Sequence, residues 1–147
     1  IVFGGDEEAI ARTILNVAPL GIDTNGDICV RIEDSEGAAQ DVCFSRPHEV
    51  QIYVKVIIKE YNEEILPGDA IDKIKNIVVE QIGKLSMGND VIYQRLLGPI
   101  YNGVDGISYI ECSVSKDGQT YKQENISIER NELAVTKIAN VTVALEL

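Results

Sequence analysis

Three cysteines and a single histidine are the side chains that could ligate a metal or act as nucleophile and base. Cys29, Cys43 and Cys112 form no Cys-x-x-Cys pair, and no histidine stands near them in a ligand pattern, so zinc is not expected. His48 follows a proline and lacks a spaced nucleophile or orienting carboxylate. We interpret His48 as an exposed residue at the entry to a strand.

Carboxylates offer two further kinds of chemistry, calcium binding and hydrolysis. Asp23-Thr24-Asn25-Gly26-Asp27 resembles the start of a calcium loop, but it lacks the full spacing and the terminal bidentate Glu. Asp34-Ser35-Glu36-Gly37 lacks them too, and both segments contain the residues that tight turns require. Most other carboxylates lie in turns or on predicted polar faces, although a buried pair could support hydrolysis. The sequence thus assigns no catalytic, cofactor-binding or metal-ligating residue.

Weaker signals are an anion-binding helix start, two glycosylation triplets and a set of tyrosines. Gly4-Gly5 precedes a helix, but no phosphate-loop pattern is present and the following Asp6-Glu7-Glu8 would repel phosphate. The triplets begin at Asn125 and Asn140 and mean little without secretion. The tyrosines suit either a protein interface or half-buried positions. They are Tyr53, Tyr61, Tyr93, Tyr101, Tyr109 and Tyr121.

Composition narrows the class of protein. The 147 residues include 45% apolar residues, typical of a globular chain that needs no metal or disulfide for stability. The net charge of −11 and the scattered basic residues make nucleic acid an unexpected partner. No segment is apolar for long enough to span a membrane, and no secretion signal is visible. Because the chain begins with Ile, we expect it to be a portion of a longer protein.

The first part of the chain is expected to hold a helix and a β-hairpin. Asp6 can cap a helix over 6–18 that Pro19 ends, and Gly21 then turns the chain. Strands over 28–33 and 39–45 bury their apolar sides together if Val30 pairs with Val42. The same register places Arg31 opposite Asp41 and Cys29 opposite Cys43. A disulfide is geometrically conceivable, but for a reducing cytosol we predict free thiols.

The remainder predicts a second α+β lobe. Its strands are expected over 49–60, 106–115, 124–129 and 140–146, and its helices over 69–86 and 91–98. Residues 131–138 fit either a loop or a helical turn. The predicted fold class is α+β, with a helix and β-hairpin lobe over 1–47. A split β-α-α-β-β, ferredoxin-like lobe with a mostly antiparallel sheet follows over 48–147.

Several short segments of the chain occur in a distinctive order. The earlier ones are Gly4-Gly5-Asp6-Glu7-Glu8-Ala9-Ile10-Ala11, Ala18-Pro19-Leu20-Gly21-Ile22-Asp23-Thr24-Asn25-Gly26 and Val42-Cys43-Phe44-Ser45-Arg46-Pro47. The later ones are the strand Val50 to Lys59, the helix Ile74 to Met87-Gly88, Asp90-Val91-Ile92-Tyr93, Pro99-Ile100 to Gly106-Ile107, and Ile128 to Ala134. Together they resemble the C-terminal part of the phage baseplate J-like family, the baseplate wedge proteins of contractile-tailed phages.

The resemblance implies a structural role and brings no catalytic residue. It implies assembly with copies of the same chain and with other baseplate proteins, in the virion tail after synthesis in the bacterial host cytoplasm. It gives no role to a cofactor, a nucleic acid or a membrane, and an isolated fragment could be monomeric. A small acidic hydrolase and a calcium-dependent binding module are the alternatives from other functional classes.

Overall fold

The computed structural model describes residues 1–18 and 22–146. The chain divides into two compact units, a first unit of Ile1–His48 and a second unit that begins at Glu49. The boundary predicted from sequence, after residue 47, lies one residue away. Helices and strands are mixed in the chain and most strand pairs are antiparallel, which confirms the α+β class.

The first unit packs one helix against one hairpin. Helix α1 (Glu7–Val17) is capped by Asp6, whose carboxylate accepts from the backbone N–H of Ala9 at 3.1 Å. Strands β1 (Ile28–Glu33) and β2 (Ala39–Phe44) pair antiparallel in the predicted register. The prediction of a cap, a helix and a hairpin is therefore confirmed, whereas the stop at Pro19 and the turn at Gly21 lie outside the described residues.

The prediction of free thiols at Cys29 and Cys43 is wrong, because the two sulfurs are bonded. The Cys43 N–H donates to Thr24 Oγ1 at 2.7 Å rather than across to β1. The pair therefore occupies a non-hydrogen-bonded position, where antiparallel strands bring opposing residues closest. The Cα atoms of the two cysteines lie 4.1 Å apart. The free-thiol prediction assumed a reducing cytosol, whereas the close pairing of the two cysteines favours a disulfide.

The second unit is built on one long extended segment. Strand β3 (His48–Gln51) pairs with β6 (Glu132–Val135), and β4 (Tyr53–Glu60) continues the segment beyond Ile52. Strand β4 is the centre of a three-stranded sheet, with β5 (Ile107–Ser115) antiparallel on one side. Strand β7 (Val141–Leu145) lies parallel to β4 on the other side. The predicted strands over 106–115 and 140–146 are confirmed, and the strand predicted over 49–60 is extended but divides at Ile52 into β3 and β4, which belong to different sheets.

Two helices follow β4 and precede β5. Helix α2 (Ala70–Gly83) buries Ile74, Val78 and Ile82, and a 3₁₀ turn (Tyr93–Leu96) leads into α3 (Leu97–Gly103). These side chains join one aliphatic core with the alternate residues Val54, Val56 and Ile58 of β4. Alternation in a strand and a three-to-four spacing in a helix place apolar side chains on one side, as the sequence pattern predicted.

Three local predictions for the second unit need correction. Residues 124–129 form no strand, because only Ile126 bridges to another segment, at Val91. Residues 132–135 form β6, not the predicted loop or helical turn, because they pair with the distant β3. The helix predicted over 91–98 lies further along, at 93–103, and its first turn is 3₁₀. No helix in the described part of the chain is long and apolar enough to cross a membrane.

Candidate functional site

His48 and Cys112 are the residues best suited to acid–base and nucleophilic chemistry. One is exposed and the other is buried. His48 is exposed at the first position of β3. Cys112 is 3% exposed inside the core of the second unit, and burial raises the pKa of its thiol to about 12. A thiol in that state is protonated at neutral pH and is a poor nucleophile. Cys112 therefore serves as a small core residue.

The Asp34 turn between β1 and β2 uses its carboxylate internally. Asp34 Oδ1 accepts from the backbone N–H groups of Ala38 and Glu36, each at 2.9 Å, and Oδ2 accepts from Gln40 Nε2 at 3.3 Å. The backbone N–H of Ala38, followed by that of Glu36, lowers the pKa of this carboxyl. The carboxylate oxygens thus hold the hairpin turn.

The turn after β5 repeats this use of an aspartate. Ser115 Oγ donates to Asp117 Oδ1 at 2.6 Å, and the N–H groups of Gln119 and Thr120 donate to the same oxygen at 2.8 Å. The hydroxyl of Ser115, and then these two N–H groups, hold the Asp117 pKa well below its usual range. Both aspartates are acceptors for their own turns and not proton donors.

An open depression of about 1040 Å³ lies in the first unit, between α1 and the hairpin. Its lining includes Arg12 from the helix and Asp34, Gln40 and Asp41 from the hairpin and its turn. A general acid in such a depression would need a raised pKa, and the pKa of Asp34 moves in the opposite direction. Within residues 1–18 and 22–146, no three His, Cys, Asp or Glu side chains are grouped to hold a metal ion.

Residues from separate sequence motifs meet in the first unit, at what we call the first joint (Gly4, Gly5, Thr24, Gly26 and Arg46). The Arg46 guanidinium donates to the carbonyl oxygens of Gly4 at 2.6 Å and Gly5 at 2.9 Å. It also lies 5.5 Å from the centre of the buried Phe44 ring. A single side chain therefore fixes the segment before α1 to the end of β2.

The turn before β1 completes the first joint. A Cβ atom at Gly26 would overlap the backbone of Phe44, so only glycine allows this approach. Thr24 Oγ1 accepts from the N–H of Cys43, and Ser45 Oγ accepts from the N–H of Asp27 at 3.2 Å. The segment that resembles a calcium loop is therefore held against the end of β2 by the Thr24 hydroxyl and by the backbone N–H of Asp27.

Motifs of the second unit meet in the same way, at the second joint (Gly88, Asp90, Val91, Ile126, Ile128 and Glu132). Val91 and Ile126 exchange backbone hydrogen bonds at 2.9 Å, and Asp90 Oδ1 accepts from the N–H of Ile128 at 2.9 Å. The N–H of Gly88 donates to the carbonyl of Glu132, also at 2.9 Å. The segment after α2 is thereby tied to the segment that leads into β6.

A further motif residue, Gly106, holds the loop after β4. Its N–H donates to Glu64 Oε2 at 3.1 Å, and its carbonyl accepts from the N–H of Tyr61 at 2.9 Å. Its φ of +80° is a conformation that favours glycine. The loop is thus closed against the start of β5 by backbone contacts.

The tyrosines divide between exposed and half-buried positions. Tyr61, Tyr101 and Tyr109 are between 43% and 45% exposed, whereas Tyr53, Tyr93 and Tyr121 are half-buried. Tyr109 donates to Glu111 Oε2 at 3.1 Å, and its ring centre lies 5.4 Å from Lys59 Nζ. The hydrogen bond to Glu111, followed by the charge of Glu111, raises the pKa of Tyr109. The hydroxyl therefore remains a hydrogen-bond donor at neutral pH.

Of the glycosylation triplets, the one at Asn125 is exposed and the one at Asn140 is not. Asn140 is 6% exposed, and its Nδ2 donates to Gln51 Oε1 at 3.2 Å. A buried amide that already holds a hydrogen-bond partner has no room for a glycan.

Sequence reasoning located the motifs but missed what Arg46 does. The signal was present, since a Gly-Gly pair that begins a helix and an Arg-Pro pair that ends a hairpin occur in one short unit. The contact joins residues more than forty positions apart, and no local pattern shows it.

No protein-family model matches the chain, and no curated protein sequence matches it either.

Proposed function

We propose that this chain is a structural part of a contractile phage or prophage tail, a portion of a baseplate wedge subunit that acts through protein–protein assembly. It performs no catalysis and takes no cofactor or metal in this role. Its partners are other baseplate proteins and copies of itself. It resides in the tail baseplate of the virion after synthesis in the bacterial host cytoplasm.

The observation that carries the proposal is the position of the residues on which the family resemblance depends. At the first joint Arg46 is hydrogen-bonded to Gly4, and Gly26 lies against the backbone of Phe44. At the second joint Gly88 is hydrogen-bonded to Glu132, and Asp90 to Ile128. All of them hold backbone segments together rather than point polar groups at a common cavity. Residues of this kind preserve the shape of rigid lobes, which is what an assembly subunit requires.

The second unit exposes apolar side chains that a partner protein could contact. Ile65 is 95% exposed, and Tyr61 and Tyr101 are each 45% exposed. Tyrosine and other large apolar side chains are enriched where proteins contact one another. Stable contacts bury about 800 Å² on each partner, so an isolated portion of a wedge subunit can remain monomeric until its neighbours are present.

The alternatives from other functional classes have less support. A hydrolase with paired carboxylates needs a proton donor near neutral pH, and the carboxyl groups of Asp34 and Asp117 have lowered pKa values. A calcium module needs free carboxylate oxygens, and those of Asp34 accept from the turn around them.

The test is the composition of tail particles. Contractile tails purified from the organism that carries this gene should contain peptides of this chain at a constant ratio to the sheath subunit, measured by quantitative mass spectrometry. Neighbouring genes should encode sheath, tube or spike proteins. Particles that lack the chain, beside a gene neighbourhood without tail proteins, would show the proposal to be wrong.

A variant pair sharpens the test. Tyr101→Asp with Ile65→Asp places charge on the exposed apolar side chains and should lower incorporation into particles. Asn62→Asp, on the same exposed loop as Ile65, serves as the control for added charge and should be incorporated normally. Equal incorporation of both variants would exclude Ile65 and Tyr101 as contact residues.

A further inference from the structure

The first unit has a small core for its length. Among the residues of this unit that the structure describes, the buried apolar side chains are Ala11, Ile32, Val42 and Phe44, packed with partly buried aliphatic residues. Units of fewer than about 70 residues seldom bury enough apolar surface to be stable alone, and they usually rely on a disulfide, a metal or a partner. The 48 residues of the first unit fall in that range. An added constraint is therefore worth more here than in the second unit.

The Cys29–Cys43 bond supplies that constraint near the open end of the hairpin, away from its turn. It joins β1 to β2 on the side opposite Ile28, Val30 and Val42, so it adds nothing to the apolar core. The two cysteines are 14 positions apart in the chain. Closing a loop of this length removes much of the freedom of the unfolded hairpin and favours the folded state roughly 100-fold or more in the chain-entropy treatment.

The bond is also accessible to a reductant. Cys29 is exposed and Cys43 is half-buried, on the face of the hairpin that carries Arg31 and Asp41. The remaining cysteine, Cys112, is buried in the core of the second unit and is not available as an exchange partner. An external thiol is therefore the reagent that opens this disulfide.

We propose that the redox state of Cys29 and Cys43 decides whether the first unit is ordered, while the second unit stays folded in either state. A dithiol reductant gives two electrons and two protons to the disulfide. The sulfur–sulfur bond breaks, two thiols form, and the reductant becomes a cyclic disulfide. The hairpin then depends on its small core and on the first joint alone, so it opens far more often.

The experiment uses the whole chain, with and without dithiothreitol, and one readout for each unit. All six tyrosines lie in the second unit and the chain has no tryptophan, so tyrosine emission during denaturation reports that unit alone. Amide hydrogen exchange of peptides covering 28–44 reports the first unit. Reduction should speed exchange in 28–44 roughly 100-fold, up to the limit of an unprotected chain, and leave the tyrosine transition unchanged.

A double variant and a thiol count complete the design. Cys29→Ser with Cys43→Ser should exchange as fast as the reduced protein, with no further response to dithiothreitol. Alkylation of the unfolded, unreduced chain should modify Cys112 alone. Three alkylated thiols without reductant, unchanged exchange in 28–44 after reduction, or an equal fall of the tyrosine transition would each overturn the proposal.

Discussion

The two units of this protein reach stability by different routes. The second unit buries a continuous aliphatic core in which Ile52, Val54, Val56, Ile58, Ile74 and Val78 are fully inaccessible to solvent. The first unit buries few side chains and relies on a disulfide, a helix cap and the guanidinium of Arg46. Burial of apolar area is non-directional, whereas caps, clamps and cross-links act only in one geometry.

The difference teaches where each unit tolerates change. A unit with a large core keeps its stability when a surface residue is replaced, because many other apolar contacts remain. A unit held by a few directional contacts loses a large share of its stability when any one is removed. The predictions that follow test this contrast. Tyrosine emission reports the second unit and hydrogen exchange of 28–44 reports the first, and nuclear magnetic resonance reports the two acid-sensitive turns.

The largest effect is expected from the core of the second unit. Ile74→Ala removes a side chain that is 0% exposed on α2 and should lower the free energy of unfolding of that unit by about 2–5 kcal/mol. Ile71→Ala, on the same helix at 42% exposure, is the matched control and should change it by less than about 1 kcal/mol. Similar losses for both variants in tyrosine-monitored denaturation would contradict the assigned core.

The next effect belongs to the first joint. Gly26→Ala sets a methyl group against the backbone of Phe44 and should destabilise the first unit by about 1–3 kcal/mol. Gly68→Ala is the control, because its Cβ would meet no atom within 4 Å. Hydrogen exchange of 28–44 should accelerate in the first variant and remain as in the wild type in the second. Equal exchange in both would mean that the turn before β1 can move away from Phe44.

A smaller effect is expected from the clamp itself. Arg46→Ala removes the hydrogen bonds to the carbonyl oxygens of Gly4 and Gly5 and should destabilise the first unit by about 1–2 kcal/mol. Arg31→Ala removes an exposed ion pair with Asp41 at 3.9 Å, and should change stability by less than about 1 kcal/mol. If both substitutions speed exchange in 28–44 equally, net charge and not the clamp is responsible.

The smallest expected effect is a loss of stability in acid at one turn of each unit, the Asp34 turn in the first unit and the Asp117 turn in the second. Because the folded pKa values of Asp34 and Asp117 lie below their usual value, their contribution to stability is complete above about pH 4. It is lost as the pH falls through the folded pKa. Asp34→Asn should therefore loosen the hairpin turn at pH 6 and make no difference at strongly acidic pH.

Asp117→Asn should act in the same way on the turn after β5. Amide resonances of 34–38 and 115–120, followed by nuclear magnetic resonance from pH 6 into the strongly acidic range below the folded pKa of each carboxyl, separate the two turns. A variant that differs from the wild type equally at both ends of this range would show that the carboxylate charge is not involved.

Much of the fold could be predicted because side-chain periodicity acts locally. The register of β1 and β2 follows from placing Val30 and Val42 on one side, because a slip of one residue would turn one strand's apolar side chains to the opposite face. The strand predicted over 124–129 is wrong because the same alternation also occurs in a loop. Ile126 and Ile128 alternate as in a strand, but they are buried in the core from a loop. Their backbone N–H groups bond to Val91 and to the Asp90 carboxylate instead of to a neighbouring strand.

The parts that could not be predicted depend on distant partners. The short strand β6 exists because Ile52 donates to the carbonyl of Val135 at 2.8 Å and accepts from Thr136 Oγ1 at 2.7 Å. The clamp of Arg46 on Gly4 and Gly5 is equally remote in sequence. Local patterns carry no information about such pairs, so the joints had to be found in the structure.

The parallel pairing of β4 with β7 sets an order for folding during synthesis. Val54 is paired with Val141, so the central sheet lacks one side until the ribosome has passed that residue. All contacts of the first unit described above are made within 1–48 and can form while the rest is still being translated. The non-covalent contacts of the small unit can thus form early, before its disulfide, and the large unit waits for its last strand to close an unpaired edge.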